Sequence, residues 1–117
     1  MRLHSGKLKR RIDVDVASWE YVVVSGKTSA TVSITASIVG KGSFNLYIVG
    51  LKSVTEAPVK GRISGFNRSE ALWCQEEIRS LATKYKAAES GALYIFFDNH
   101  HDELEPKSID VDIHIDY

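Results

Sequence analysis

The plainest signal in this chain is alternation. Between Thr28 and Val39, Val32, Ile34, Ala36 and Ile38 fall on one side, with Thr31, Ser33, Thr35 and Ser37 on the other. That is the period of a strand with one dry face and one wet face. Ile12, Val14 and Val16 alternate in the same way with Asp13 and Asp15, and Ile109, Val111, Ile113 and Ile115 with Asp110, Asp112, His114 and Asp116. Trp19 to Val24 is an aromatic and β-branched run suited to a strand. Phe44 to Leu51 places Phe44, Leu46 and Ile48 on one face and Asn45, Tyr47 and Val49 on the other. Gly40-Lys41-Gly42 can turn tightly, so the segments on either side are expected to form the two arms of a hairpin.

Leu93 to Phe97 breaks the alternation: every residue is large and apolar. A run that short, bounded by turn formers, reads as a strand buried on both faces. Residues 52 to 69 are the least regular part, punctuated by Pro58, Gly61, Gly65 and Asn67, with a short edge strand expected around Val59 to Phe66. Residues 69 to 88 carry two patterns. Cys74, Ile78, Leu81, Tyr85 and Ala88 fall at helical spacing behind Ser69 as a cap, and propensity favours that reading. Leu81, Thr83, Tyr85 and Ala87 also fit an inward-facing strand, which would pair with the aromatic run through a turn at Glu89 to Gly91. The fold class is all-β: an antiparallel sandwich of about eight strands, with room for one short helix within 69–78. Residues 1–9 read as a flexible basic arm and 10–117 as one sandwich domain.

Composition changes this picture little. The chain has 117 residues, 44% apolar and 26% charged, which is ordinary for a globular domain. Fifteen basic residues balance fifteen acidic ones, so net charge argues for neither nucleic acid nor a membrane surface. The distribution is uneven. Arg2, Lys7, Lys9, Arg10 and Arg11 open the chain, and Asp98, Asp102, Glu103, Glu105, Asp110, Asp112 and Asp116 crowd its end. Two solvated strand faces, neighbours in one sheet, account for that asymmetry; a phosphate-binding or localisation arm is the sharper alternative. One cysteine, Cys74, excludes an internal disulfide. No apolar stretch is long enough to span a bilayer, and none follows the basic start as a leader would require. These features point to a cytoplasmic protein.

The tail reads Gly91-Ala92-Leu93-Tyr94-Ile95-Phe96-Phe97-Asp98-Asn99, then a polar loop, then Lys107 and an alternating strand. Over about residues 79–117 it resembles the closing third of GOLD-like (Golgi-dynamics) domains and their prokaryotic relatives. The matching positions are Gly91, Tyr94, Phe97, Asp98, Asn99 and Lys107. The resemblance implies a compact β-sandwich used in protein contact, with no catalytic residues and no cofactor. It also favours a strand for 79–88 after a short helical turn. Asp98 and Asn99 are good turn residues on physical grounds alone, because their side chains bond nearby backbone amides.

Candidate chemistry is sparse. Asp98, His100, His101, Asp102 and Glu103 contain the donors of a divalent-metal loop, but adjacent histidines on an extended chain point to opposite sides. A solvated acidic loop is therefore expected, with no metal site. Cys74 beside Trp73 reads as a buried, inert thiol rather than a nucleophile. Trp19, Tyr21, Tyr47, Trp73 and Tyr94 are enough aromatics for a sugar-stacking platform, provided that Trp19 and Trp73 are exposed together. No P-loop, dinucleotide fingerprint, zinc-finger spacing or nucleophile elbow is present. The reading that follows is a non-enzymatic interaction or structural module with a protein partner or self-association. The edge near residues 59 to 66 is the expected contact surface. Its rival is a carbohydrate-binding sandwich; a hydrolase using His100 and His101 comes third.

Overall fold

The computed structural model describes residues 2–3, 6–26, 30–58, 62–88, 91–102 and 104–116. Eleven strands are found among the described residues: β1 Arg2–Leu3, β2 Gly6–Val14, β3 Trp19–Gly26, β4 Thr31–Val39, β5 Phe44–Gly50, β6 Val54–Glu56, β7 Ile63–Phe66, β8 Trp73–Ile78, β9 Ser80–Lys86, β10 Gly91–Asp98 and β11 Lys107–Asp116. They form a sandwich. One sheet has the order β1-β3-β10-β5-β8, the other β2-β11-β4-β9, and β6 and β7 make a separate two-stranded sheet. All pairs are antiparallel except β1 with β3.

Burial explains which strand goes where. In the four-stranded sheet each strand has one apolar face. Ile12, Val14, Val32, Ile34, Ala36, Ile109, Val111, Ile113 and Ile115 point inward and are buried. The outer face is wet, and its register sets the basic strand against the acidic one: Arg11 opposite Asp110, Lys9 opposite Asp112, Lys7 opposite His114. Arg11 Nε donates to Asp110 Oδ1 at 2.9 Å, and Ser108 Oγ donates to Asp13 Oδ1 at 2.6 Å. The charge asymmetry of the sequence is thus cancelled between neighbouring strands, as two solvated faces require.

The central strands of the five-stranded sheet, β3, β10 and β5, are apolar on both faces, while the edge strand β8 is largely exposed. Val22, Val24, Leu46, Ile48, Leu93, Ile95 and Phe97 face the shared core. Val23, Tyr47, Val49, Tyr94 and Phe96 face outward, yet are buried. Their cover includes the flap formed by β6, β7 and the 3-10 turn Arg68–Glu70: Val54, Ile63, Phe66 and Ala71 pack on this second core. Phe66 stacks on Phe96 with ring centroids 3.8 Å apart, and Trp19 meets both edge-on at 5.7 and 5.1 Å. The aromatic run Leu93–Phe97 therefore sits, as its pattern demands, in the middle of a sheet covered on both sides.

Several expectations are corrected. β4 and β5 are not a hairpin. Gly40 (φ +90°) and Gly42 (φ +97°) carry the chain from one sheet to the other. β5 is buried on both faces, so it needs the doubly covered sheet, whereas β4 has a wet face. The same distinction separates β9 from β10: Ser80, Ala82, Lys84 and Lys86 are exposed, and β9 pairs with β4 rather than with the aromatic run. Residues 73–86 are strands, not helix; the helical content nearby is the turn Arg68–Glu70. Alternation outweighs propensity because Leu81, Thr83, Tyr85 and Ala87 complete the core while Cys74 and Ala88, two members of the helical pattern, are exposed. β2 begins at Gly6, so residues 6–9 lie in the sheet and not in a flexible arm. Leu8 packs against the core and pairs with Ile113, extending the β2 pattern toward the start of the chain. Of the expected edge strand, Ile63–Phe66 is present, while residues 59–61, like the turn residues Glu89 and Ser90, lie outside the described residues.

Candidate functional site

The polar chemistry gathers at one end of the sandwich, where β10 ends at Asp98 and β11 begins at Lys107. Two buried networks meet there.

The first holds the loop 99–106. Asn99 is fully buried. Its amide donates to Asp15 O at 3.1 Å and to Glu105 O at 3.0 Å, and its backbone N–H to Ser18 O at 2.8 Å. One side chain thus ties the β2–β3 connection to both ends of the loop. Asp102 works from the other side. Its Oδ1 accepts the backbone N–H of Leu104 and of Glu105 at 2.9 and 3.1 Å, and its Oδ2 accepts from Lys107 Nζ. These bonds hold the Asp102 carboxyl down at about 2, Lys107 contributing most. Ala17, at φ +48°, donates its N–H to Asp102 O at 2.8 Å. Lys107 is 4% exposed and lies across Gly42, where an added Cβ would come within 2.7 Å of Lys107 Cε. Gly42 is therefore fixed twice, by its positive φ and by the lysine stem.

The second network anchors the flap. Asp98 is buried, and Arg68 grips it with both arms: Nη2 to Oδ1 at 2.9 Å and Nε to Oδ2 at 3.2 Å. His100 Nδ1 also meets Asp98 Oδ2. The guanidinium lies 4.5 Å from the centre of the Phe66 ring and 5.9 Å from that of Tyr47. Burial and a 3.0 Å hydrogen bond to Glu76 push the Tyr47 phenol up to about 12. Asn45, on β5, accepts the N–H of Glu77 at 2.8 Å where the register of β5 and β8 shifts and Glu77 takes φ +54°.

Asn99, Asp102 and Lys107 turn inward, and Leu104 is left outside, 89% exposed. His100 and His101 stand beside it, their rings 6.1 Å apart and nearly perpendicular. His100 is committed to Asp98, so the pair does not converge on one point. Among the described residues no group of three metal-ligating side chains forms; Glu103 lies outside them. The residues singled out by sequence thus divide. Asp98, Asn99, Asp102 and Lys107 are brought together as bracing, and Phe97 and Tyr94 are core on opposite faces of β10. Gly91 adopts φ +133° at the start of that strand. Cys74 is exposed on β8, not buried, because Trp73 takes the inward position. Trp19 packs on the outer face and Trp73 on the inner core, so they offer no common sugar platform. Arg68 and Leu104 escaped the sequence reading: one sits in an irregular segment, the other is a lone leucine in a polar loop.

The architecture has solved counterparts. The chain is similar to PliG of Aeromonas hydrophila, a periplasmic inhibitor of g-type lysozyme, with 12% identity, 98% of this chain and 94% of that one covered, and a TM-score of 0.62. PliG of Salmonella Typhimurium, also a periplasmic g-type lysozyme inhibitor, shares 11% identity over 99% and 96% of the two chains, with a TM-score of 0.58. The pre-peptidase C-terminal domain of a Bacillus anthracis collagenase shares 8% over 98% and 92%, with a TM-score of 0.54. At such identities the likeness establishes the fold, a class of antiparallel β-sandwich found in protein inhibitors and in accessory domains. No family model matches the sequence, and no curated protein does. The cytoplasmic location expected above is corrected by this comparison, since the PliG neighbours are periplasmic proteins. A single cysteine is chemically at home in either compartment, and a leader is cleaved from an exported chain, so neither argument carried weight. Among the described residues no helix is long and apolar enough to cross a membrane.

Proposed function

We propose that this chain is a non-enzymatic recognition module that acts outside the cytoplasm, and that the braced loop 99–106 is the segment it presents to a protein partner. The observation that carries the reading is a contrast within the loop. Asn99, Asp102 and Lys107 are bonded internally, while Leu104, the loop's one large apolar side chain, is the most exposed large hydrophobic among the described residues at 89%. A loop already ordered before binding loses little conformational entropy on docking, and a projecting apolar residue is an effective anchor in a partner's pocket. The kinship of fold with PliG supports a protein as the ligand and makes g-type lysozyme the first to try. The resemblance of residues 79–117 to GOLD-like domains supports the same reading, because three of its six shared positions, Asp98, Asn99 and Lys107, belong to the bracing networks. The divided tryptophans give the carbohydrate alternative no comparable support.

The test is surface plasmon resonance against immobilised g-type lysozyme, followed by capture from a periplasmic extract. Leu104→Asp, at a site that contacts nothing in the core, is expected to leave the melting temperature unchanged and to weaken binding by about tenfold or more, on the scale of an interface anchor. Full-strength binding by Leu104→Asp would remove the loop from the interface.

A further inference from the structure

The loop is not the only surface equipped for a partner. β2 runs for nine residues along one edge of the four-stranded sheet. Among the described residues no strand pairs with β2 except β11, so β2 is the edge strand of this sheet. Such an edge is a template for another strand. Its solvent face carries Lys7, Lys9 and Arg11, at alternate positions about 7 Å apart, followed by Asp13; Arg11 also bonds Asp110, and Asp13 accepts from Ser108.

Charge selects the occupant. The strand already paired with β2 is acidic, setting Asp110 against Arg11 and Asp112 near Lys9. β11 thus shows, within the molecule, what this row of cations accepts. A second copy of the chain is disfavoured, because β2 against β2 would oppose cation to cation. The other long edges are guarded likewise: β9 exposes Lys84 and Lys86, and β8 exposes Glu76 and Glu77. Like charges directly opposite each other destabilise a strand pair.

We propose that the open edge of β2 is a strand-addition site for an extended, acidic segment of a partner protein, with carboxylates at every second residue facing Lys7, Lys9 and Arg11. This surface belongs to the four-stranded sheet and does not depend on the loop 99–106 being an interface.

The probe is a fluorescein-labelled decapeptide of alternating aspartate and valine, followed by fluorescence anisotropy at low salt. A control peptide of the same sequence is N-methylated at alternate residues, which keeps the charge and removes the backbone donors. The expected result is saturable binding to the full chain that the N-methylated control loses, with amide chemical-shift changes confined to Gly6–Val14. The double variant Lys7→Glu/Lys9→Glu is expected to weaken binding at least tenfold. Its two sites are exposed, so its melting temperature serves as the folding control. Equal binding of the N-methylated peptide, or displacement by an equal concentration of a single-stranded oligonucleotide, reduces the edge to a generic polyanion surface and overturns the proposal. So does an absence of binding, or shifts that map elsewhere.

Discussion

Replacing Asn99 tests the bracing of the loop most directly. Its amide is buried, and both hydrogens are used, on Asp15 O at 3.1 Å and Glu105 O at 3.0 Å, while Oδ1 has no partner among the described residues. Asn99 acts here as a double donor. Alanine removes two hydrogen bonds worth roughly 1 kcal/mol each and takes the side-chain donor from Asp15 O, while Glu105 O keeps Lys107 Nζ at 3.2 Å, so the loss is about 2–4 kcal/mol. For a chain of 117 residues, about 4 °C per kcal/mol gives a fall of roughly 8–16 °C in melting temperature. Aspartate makes the sharper comparison. It matches asparagine in shape but turns lone pairs toward both carbonyls, so Asn99→Asp is expected to be no more stable than Asn99→Ala at neutral pH. Thermal melts followed by circular dichroism at pH 7 read both variants. An alanine variant melting within about 2 °C of the parent, or an aspartate variant more stable than alanine, would refute the reasoning.

Arg68→Ala removes the cation that the flap places on buried Asp98. Breaking such a pair costs about 3–5 kcal/mol when both partners are buried; Arg68 is 35% exposed, so roughly 2–3 kcal/mol is expected here. Hydrogen exchange should show Val54–Glu56 and Ile63–Phe66 losing protection before the rest, and uniform loosening would contradict a local clasp. At acid pH, Asp102 is held at about 2 against an ordinary value of 3.8. Its folded-state pKa is depressed, so its stabilisation is complete above about pH 4 and is lost as pH falls through 2. Urea midpoints between pH 5 and 2 should therefore decline less steeply in Lys107→Met, and an identical slope would detach Lys107 from Asp102.

The sandwich was legible because β-sheet burial writes itself into a sequence at period two. Ile109 to Ile115 and Val32 to Ile38 declare one dry face each, and the structure buries that face. The partnering of strands was less legible. Gly40-Lys41-Gly42 looks like a hairpin turn, but two glycines at positive φ serve a crossing between sheets equally well. Residues 69–88 were ambiguous because Ile78, Leu81 and Tyr85 satisfy helical spacing by coincidence. Only Thr83 and Ala87, weak members of the strand pattern, resolve it. The flap was illegible for another reason: Phe66 and Arg68 are isolated in sequence, and their role depends on an aromatic floor contributed by β3, β5 and β10.

A usable rule lies in the contrast between β10 and β11. β10 and β5 are apolar at consecutive positions and occupy a sheet covered on both sides; β4, β9 and β11 alternate and share a sheet with a wet face. Counting dry faces per strand thus sorts strands into sheets before any pairing is guessed. It also requires a second cover for Tyr47, Val49, Tyr94 and Phe96, which the irregular segment 52–71 supplies. The polar residues of the motif follow from the same architecture. Here β10, buried on both faces, ends in a turn whose first residues stay inside: Asp98 and Asn99 are both fully enclosed. Most polar groups there are matched, Asn99 Oδ1 excepted. Arg68 and His100 match Asp98, and the carbonyls of Asp15 and Glu105 match the Asn99 amide. The bracing of the loop at Asn99, Asp102 and Lys107 is thus a consequence of closing the central strand, and it leaves Leu104 outside, where the proposed contact would be made.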